Sequence, residues 1–229
     1  MTQKDKISLA RMLSQDEVFG EIPYKDLQTL ADLAVLRVLR KRDHLCYQGD
    51  EWPFVVYVHR GAVQWTLLST GGRKHQLHTI TPGDVFWSPT FFDDGPIPVS
   101  LVASKASVVY LWDRTTLLPV LYRHPQALFG VTKQLTTTMR RARKIIYGLA
   151  FQPVASRLAD FIVSSLEGAP APVLERDVTL DDIAAICASS PEVICRLLYQ
   201  FQSEGIIKIT RTSITVNDCA ALKRLASTD

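Results

Sequence analysis

Val178-Thr-Leu-Asp-Asp-Ile-Ala-Ala-Ile-Cys-Ala-Ser-Ser-Pro-Glu-Val-Ile-Cys-Arg-Leu-Leu-Tyr-Gln-Phe201 is the stretch on which the reading of this chain turns. Thr179, with Asp182 three residues on, resembles a capping box with Asp in place of the usual Glu. Ile183, Ala184 and Ile186 then follow on one short helix. Ser190 is a good N-cap and Pro191 fits the first helical position, so a second helix starts sharply there. Its apolar residues are Val193, Ile194, Leu197, Leu198 and Phe201. Two short helices joined by a tight turn form a helix-turn-helix. Ser203-Glu-Gly205 closes the second helix, and Ile206 to Ile209 with Ser213 to Val216 read as the hairpin of a wing.

Glu192 and Arg196, four apart, project from the same face of that second helix. In a major groove, an arginine donates two hydrogen bonds to guanine and a glutamate accepts from cytosine. With Cys195 beside them, these are the expected base-reading residues, and Thr179, Ser189 and Ser190 the expected phosphate contacts. The competing reading is an ordinary surface ion pair. The turn, the cap and the wing around the pair favour DNA.

Working back along the chain, Leu128, Val131, Leu135, Thr138, Ala142, Ile145 and Leu149 alternate steps of three and four. That heptad seam predicts a long helix, opened by Pro125 and closed before Pro153, that pairs with a second copy. Further back, residues 13 to about 113 read as β-rich. Glycines punctuate the segment at Gly49, Gly61, Gly71-Gly72 and Gly83, with strand-like runs between them. A short helix over about Tyr24 to Leu36 precedes the strands, and Ser69 to Arg73 signals a hairpin. Glu167 to Pro172 reads as a linker.

The 229 residues carry 26 basic and 23 acidic side chains. Their distribution is uneven: residues 114–150 hold 7 basic side chains and no acidic one, whereas residues 151–229 hold 7 basic and 10 acidic. The cationic centre attracts polyanions or lines a solvated face. The acidic balance of the last segment keeps open a winged helix that contacts protein rather than DNA. No apolar run is long enough to span a membrane, and the first residues lead into no secretion signal. Cys46, Cys187, Cys195 and Cys219 form no paired motif and read as reduced thiols of a cytoplasmic protein, with small buried thiols favoured over oxidant sensors. No phosphate loop, nucleophile elbow or clustered metal-binding histidines occur, which argues against an enzyme such as a cupin-like metalloenzyme: no catalytic residue and no metal ligand is expected.

In order along the chain, Tyr47-Gln-Gly-Asp50, Tyr57-Val-His-Arg-Gly-Ala-Val63, Gly72-Arg73, Pro82-Gly-Asp-Val-Phe86 and the 178–208 segment resemble the CRP/FNR family of bacterial transcription regulators. Glu192, Cys195 and Arg196 match the family's recognition-helix pattern. The resemblance implies an α+β fold: a cyclic-nucleotide-binding-like β-roll (a double-stranded β-helix), a long dimerisation helix, and a winged helix-turn-helix. The corresponding divisions are 1–120, 121–150 and 151–229. It further implies a homodimer on palindromic double-stranded DNA, with half-sites like T-T-G-A because Pro191 stands where cyclic-AMP-type members carry an arginine. RNA polymerase is the implied partner.

One departure bears on mechanism. Cyclic-AMP-binding members carry F-G-E and, about ten residues on, R-S or R-T. This chain has Phe86-Trp87-Ser88 and Ile97-Pro98-Val99 instead. A phosphate buried without its arginine is costly, so no tight cyclic nucleotide binding is expected. The apolar replacements Phe86, Trp87, Phe91 and Phe92 either fill the pocket or line one for a small hydrophobic, aromatic or haem-type effector. The sequence identifies no cofactor.

Overall fold

The computed structural model describes residues 2–168, 171–175 and 178–228. It divides into two compact units: Met1–Leu68 with His78–Arg141, and Ser69–Leu77 with Ala142–Asp229.

The first unit opens with a helix the sequence reading did not foresee, α1 (Gln3–Leu13), held by a capping box between Thr2 and Asp5. After a 3-10 turn at Phe19–Glu21 comes α2 (Tyr24–Leu33). It ends three residues short of expectation, because β1 (Val35–Leu39) claims the β-branched run that follows. Seven strands complete the roll: β2 (His44–Cys46), β3 (Phe54–Arg60), β4 (Val63–Leu68), β5 (Lys74–Ile80), β6 (Val85–Trp87), β7 (Ser100–Ala103) and β8 (Ser107–Asp113). They form two four-stranded sheets, ordered β1-β8-β3-β6 and β2-β7-β4-β5. The pairings that set the register of β1, β3 and β8 are antiparallel, with Val56 opposite Leu111 and Leu36 opposite Tyr110. Gly61 makes the turn after β3 possible. Its φ is +88, and a Cβ there would lie 2.3 Å from the Ser107 hydroxyl oxygen.

The long helix expected from Pro125 is present, and a separate shorter helix precedes it. Helix α3 (Arg114–Arg123) ends at His124, and α4 (Pro125–Phe151) begins with Pro125 in its first turn. One hydrophobic core ties these parts together. Leu9, Leu13, Phe19 and Leu30 meet Val55, Trp87 and Trp112 of the sheet, and Leu121 and Val131 close it. Two indole nitrogens of this core are satisfied: Trp112 Nε1 donates to the Leu30 carbonyl at 2.8 Å, and Trp87 Nε1 to Gln134 Oε1 at 2.7 Å.

The second unit contains α5 (Val154–Ser165), β9 (Val173–Glu175), α6 (Leu180–Ile186), α7 (Pro191–Ser203), β10 (Ile207–Ile209), β11 (Ser213–Val216) and α8 (Cys219–Ala226). Residues 169 and 170 of the expected linker lie outside the described residues. The strand β9 just beyond it was not foreseen. It pairs with β11, so the wing sheet runs β10-β11-β9. Helix α8, also unforeseen, is capped by Asp218. The core of this unit is formed by Leu158, Ile162, Ile183, Ile194, Leu198, Phe201, Ile214 and Leu222. Arg157 binds three backbone carbonyls here, those of Gly148, Gln152 and Cys187. It thereby ties the end of α4 to the turn after α6.

Candidate nucleic-acid interface

The reader is built from caps and packing. Thr179 accepts from the backbone N–H of Asp182, and the Asp182 carboxylate returns a bond to the Thr179 N–H at 3.1 Å. Ala188 takes a positive φ of 48 in the turn, and the Ser189 N–H donates to the Ala184 carbonyl at 2.9 Å. Ser190 then caps α7 by accepting from the Val193 N–H. Such a cap stabilises by about 1 kcal/mol. Ile194, Leu198 and Phe201 bury one face of α7. The opposite face stays in solvent by geometry, since its residues fall between those three.

On that free face stand Glu192 and Arg196, both exposed, with Cys195 half-buried beside them. No ion pair joins Glu192 to Arg196 among the described residues, so the two charges do not neutralise each other. The Ser190 hydroxyl hydrogen-bonds the Glu192 carboxylate and holds it below its usual range, so Glu192 is ionised at neutral pH and acts as an acceptor only. One residue was missed by the sequence reading. Tyr199 is exposed one turn beyond Arg196 on the same face, and its large exposed ring is the only signal that would have singled it out. Arg211, exposed at the tip between β10 and β11, adds a cation on the wing.

The three expected phosphate contacts differ in what they have left to offer. The Thr179 hydroxyl donates to Asp182 at 2.8 Å, and that of Ser190 is spent on Glu192. Only the Ser189 hydroxyl forms no hydrogen bond among the described residues. Capping has therefore used two of the three donors before any ligand arrives.

Phe86, Trp87, Phe91 and Phe92, expected to fill a pocket or to line one, are not among the residues that line the cleft of this unit. Phe86, Trp87 and Phe91 are buried in the core, and Phe92 lies half outside it. Trp87 stacks on Phe19 with ring centroids 5.7 Å apart, and Phe91 meets Phe92 edge-on at 4.9 Å. Large flat side chains found partners within the protomer, so no space was left beside them. Where the family's glutamate would stand, Ser88 is fully buried and donates to the Trp52 carbonyl. Arg114 does not replace the missing phosphate arginine. It is bound to the carbonyls of Thr90, Phe91 and Asp93 and to the Asp94 carboxylate. The cleft in this unit lies elsewhere. It measures about 480 Å³ and is lined by Trp65, His78, Lys133, Gln134, Thr138 and Arg141 among others. There the Trp65 indole N–H is buried without a hydrogen-bond partner among the described residues.

The expected seam residues of α4 do not all face outward. Val131 is 1% exposed within its own unit, and Leu128 and Leu135 pack against the same core. Those three positions are used inside the protomer. Thr138 and Ile145 are half-buried, and Ala142 and Leu149 are exposed. Other outward apolar residues of α4 include Phe129, Met139 (74% exposed), Ile146 (65% exposed), Tyr147 and Phe151.

Cys46 and Cys187 are buried, with burial pushing each thiol up to about 12, so neither forms a thiolate readily. Among the described residues no group of three or more His, Cys, Asp or Glu side chains is placed to hold a metal. Among these residues no helix is long and apolar enough to cross a membrane.

Comparison with known proteins agrees with this geometry. Residues 36–124 match the cyclic nucleotide-binding domain, and residues 156–225 match the Crp-like helix-turn-helix domain. The Cyclic AMP receptor protein of Thermus thermophilus is 24% identical over 180 residues, which are 79% of this chain and 82% of that protein. A CRP-like cAMP-activated global transcriptional regulator of Mycobacterium tuberculosis is 24% identical over 192 residues, 81% of this chain and 85% of its own length. Among solved structures, FixK2 from Bradyrhizobium japonicum superposes with a TM-score of 0.73 at 22% identity, covering 86% of this chain and 98% of that one. With a nucleotide-binding-type β-roll followed by a winged reader whose polar face is free, this chain belongs to the CRP/FNR family of DNA-binding transcription regulators.

Proposed function

We propose that the chain acts as a homodimer on a palindromic DNA site with T-T-G-A-like half-sites, through a sensor that does not grip a cyclic nucleotide. The observation that carries this reading is the pair Glu192 and Arg196, both exposed at the start of α7 and not paired with each other among the described residues. Held in the major groove, Arg196 donates to a guanine and ionised Glu192 accepts from the paired cytosine, with Cys195 against a neighbouring base. The backbone N–H groups at the start of α7 and the Ser189 hydroxyl contact phosphate, which fixes position and not sequence.

The three-part division stands as the working scheme: sensor 1–120, dimerisation helix 121–150, reader 151–229. Two copies pair along α4. The seam is the stripe of Phe129, Met139 and Ile146, with Thr138, Ala142, Ile145 and Leu149 flanking its second half, and not Leu128, Val131 and Leu135. A parallel pair sets two reading helices about 34 Å apart, one helical turn of DNA. The sensor answers to a small effector that is not a cyclic nucleotide, seated in the cleft beside Trp65 and His78 and not among Phe86, Trp87, Phe91 and Phe92. The family relation supports a regulator with no catalytic role that works in the cytoplasm with RNA polymerase.

A binding-site selection on random duplexes tests the reading. A two-fold symmetric consensus is expected, and its loss of symmetry with Met139→Glu is the accompanying result. A consensus with no dyad, or one unchanged by Arg196→Ala, removes the assignment. Titration with cyclic AMP is expected to leave both melting temperature and DNA affinity unmoved.

A further inference from the structure

We propose that β1 is a docking edge for an extended acidic segment of another protein, which joins the sheet as an added strand alongside it. The strand Val35–Leu39 is outermost in the order β1-β8-β3-β6 and pairs only with β8 among the described residues. In an antiparallel ladder the N–H and C=O groups of alternate residues point away from the partner strand, so one side of β1 presents a row of free backbone groups.

An edge strand ordinarily buries one face of its side chains. β1 does not. Val35, Leu36 and Val38 are 45, 37 and 72% exposed, Arg37 is also exposed, and only Leu39 is buried. Successive residues point to opposite sides, so both faces of the strand are open. Leu33, at the end of α2, adds a further exposed apolar side chain next to it in sequence. An open, apolar edge is a template for another strand, and proteins leave one uncovered only where something else covers it or charge blocks it.

The charge around β1 says which strand is admitted. Arg37, Arg40, Lys41 and Arg42 are all exposed and form no ion pair among the described residues. The neighbouring acid, Asp43, accepts from the Arg40 backbone N–H at 2.8 Å. A second copy of β1 is a poor occupant. Arg37 is the central residue of the five, so antiparallel self-pairing sets it opposite its own copy, with like charges in contact. Leu36 and Val38 share one face, and Arg37 lies on the other. A segment that alternates apolar and acidic residues satisfies both faces at once, with the backbone supplying affinity and the side chains specificity.

The test uses the full chain and two capped peptides of about eight residues, one alternating valine and glutamate, the other valine and lysine. Fluorescence anisotropy is expected to show at least tenfold preference for the glutamate peptide, with hydrogen exchange slowed at the amides of 35–39. Arg37→Glu combined with Arg40→Glu is expected to reverse the preference while DNA affinity stays the same, which separates this surface from the reader. The proposal is overturned if neither peptide binds, if both bind alike, if the protection falls outside β1, or if the double variant keeps the original preference. It also fails if Val38→Asp lowers the association state of the free protein, because β1 is then an interface between copies.

Discussion

Helix α7 was expected to meet DNA, and the aromatic segment from β6 through Phe92 either to fill a pocket or to line one; α7 presents Glu192 and Arg196 outward, whereas Phe86, Trp87 and Phe91 are buried. In α7 the expectation rested on charged residues placed between apolar ones. Glu192 and Arg196 stay in water because burying an unpaired charge costs several kcal/mol. In the other segment it rested on aromatic residues alone. Phe86, Trp87 and Phe91 found a better place inside their own protomer, Phe86 edge-on to Trp65, Trp87 stacked on Phe19 and Phe91 edge-on to Trp87. Helix α4 repeats the lesson within one element: its apolar Val131 went inward, whereas Met139, equally apolar, did not. Polar character specifies a side. Apolar character specifies only that some surface is to be covered, and the fold chooses which.

The sharpest way to break that contrast is on α4. Val131→Asp buries a lone carboxylate in the sensor core and is expected to destabilise the protomer by about 4 kcal/mol or more, which calorimetry detects as an unfolded or strongly lowered transition. Met139→Asp, two turns on, is expected to leave the fold intact and yield monomers by sedimentation. If both variants stay folded and dimeric, the inward and outward sides of α4 are wrongly distinguished. Next in size is Trp87→Ala, which is expected to cost about 3–5 kcal/mol through the cavity it leaves, against less than about 1 kcal/mol for half-exposed Phe92→Ala. Equal losses in chemical denaturation would mean that these rings line an open pocket after all.

Arg196→Ala is expected to leave stability unchanged and to cost about 1–3 kcal/mol of site affinity, with discrimination relaxed at one G·C pair. A loss spread evenly over all sequences would demote Arg196 to a phosphate contact. The smallest expected effect concerns His78. Burial, reinforced by the positive charge of Arg141, pushes its pKa from 6.5 down to about 4. The unfolded chain takes up this proton near pH 6.5, whereas the folded chain refuses it until about pH 4. Stability therefore falls as pH drops through that window and is unaffected above it. Denaturation midpoints across the window should flatten in His78→Gln. An unchanged slope assigns the acid sensitivity to other groups.

Much of the reader was legible in the chain's own letters. Its start, turn and wing are written in local chemistry: the Thr179 and Ser190 caps, Pro191 at a first helical position, and Gly205 at a φ of +75 just past the end of α7. The four-residue spacing of Glu192 and Arg196 was enough to place both on one face. Strand β9 was hidden because three residues between turns carry no period, and its identity depends on β11 as partner. Tyr199 was hidden because an aromatic residue within an amphipathic helix is ordinarily assigned to the core.

What the residues determined unaided is the two helices of the reader, its β10–β11 hairpin and its polar face, since capping, turn chemistry and the cost of burying charge act within a few positions along the chain. What only the tertiary structure decided is where each apolar surface went: Trp87 into a stack instead of a ligand wall, Val131 into its own core instead of a seam, and Val38 into solvent on an unpartnered edge. Hydrophobic burial is non-directional. It is satisfied by any neighbour the whole fold supplies, and so cannot be read from the residue that seeks it.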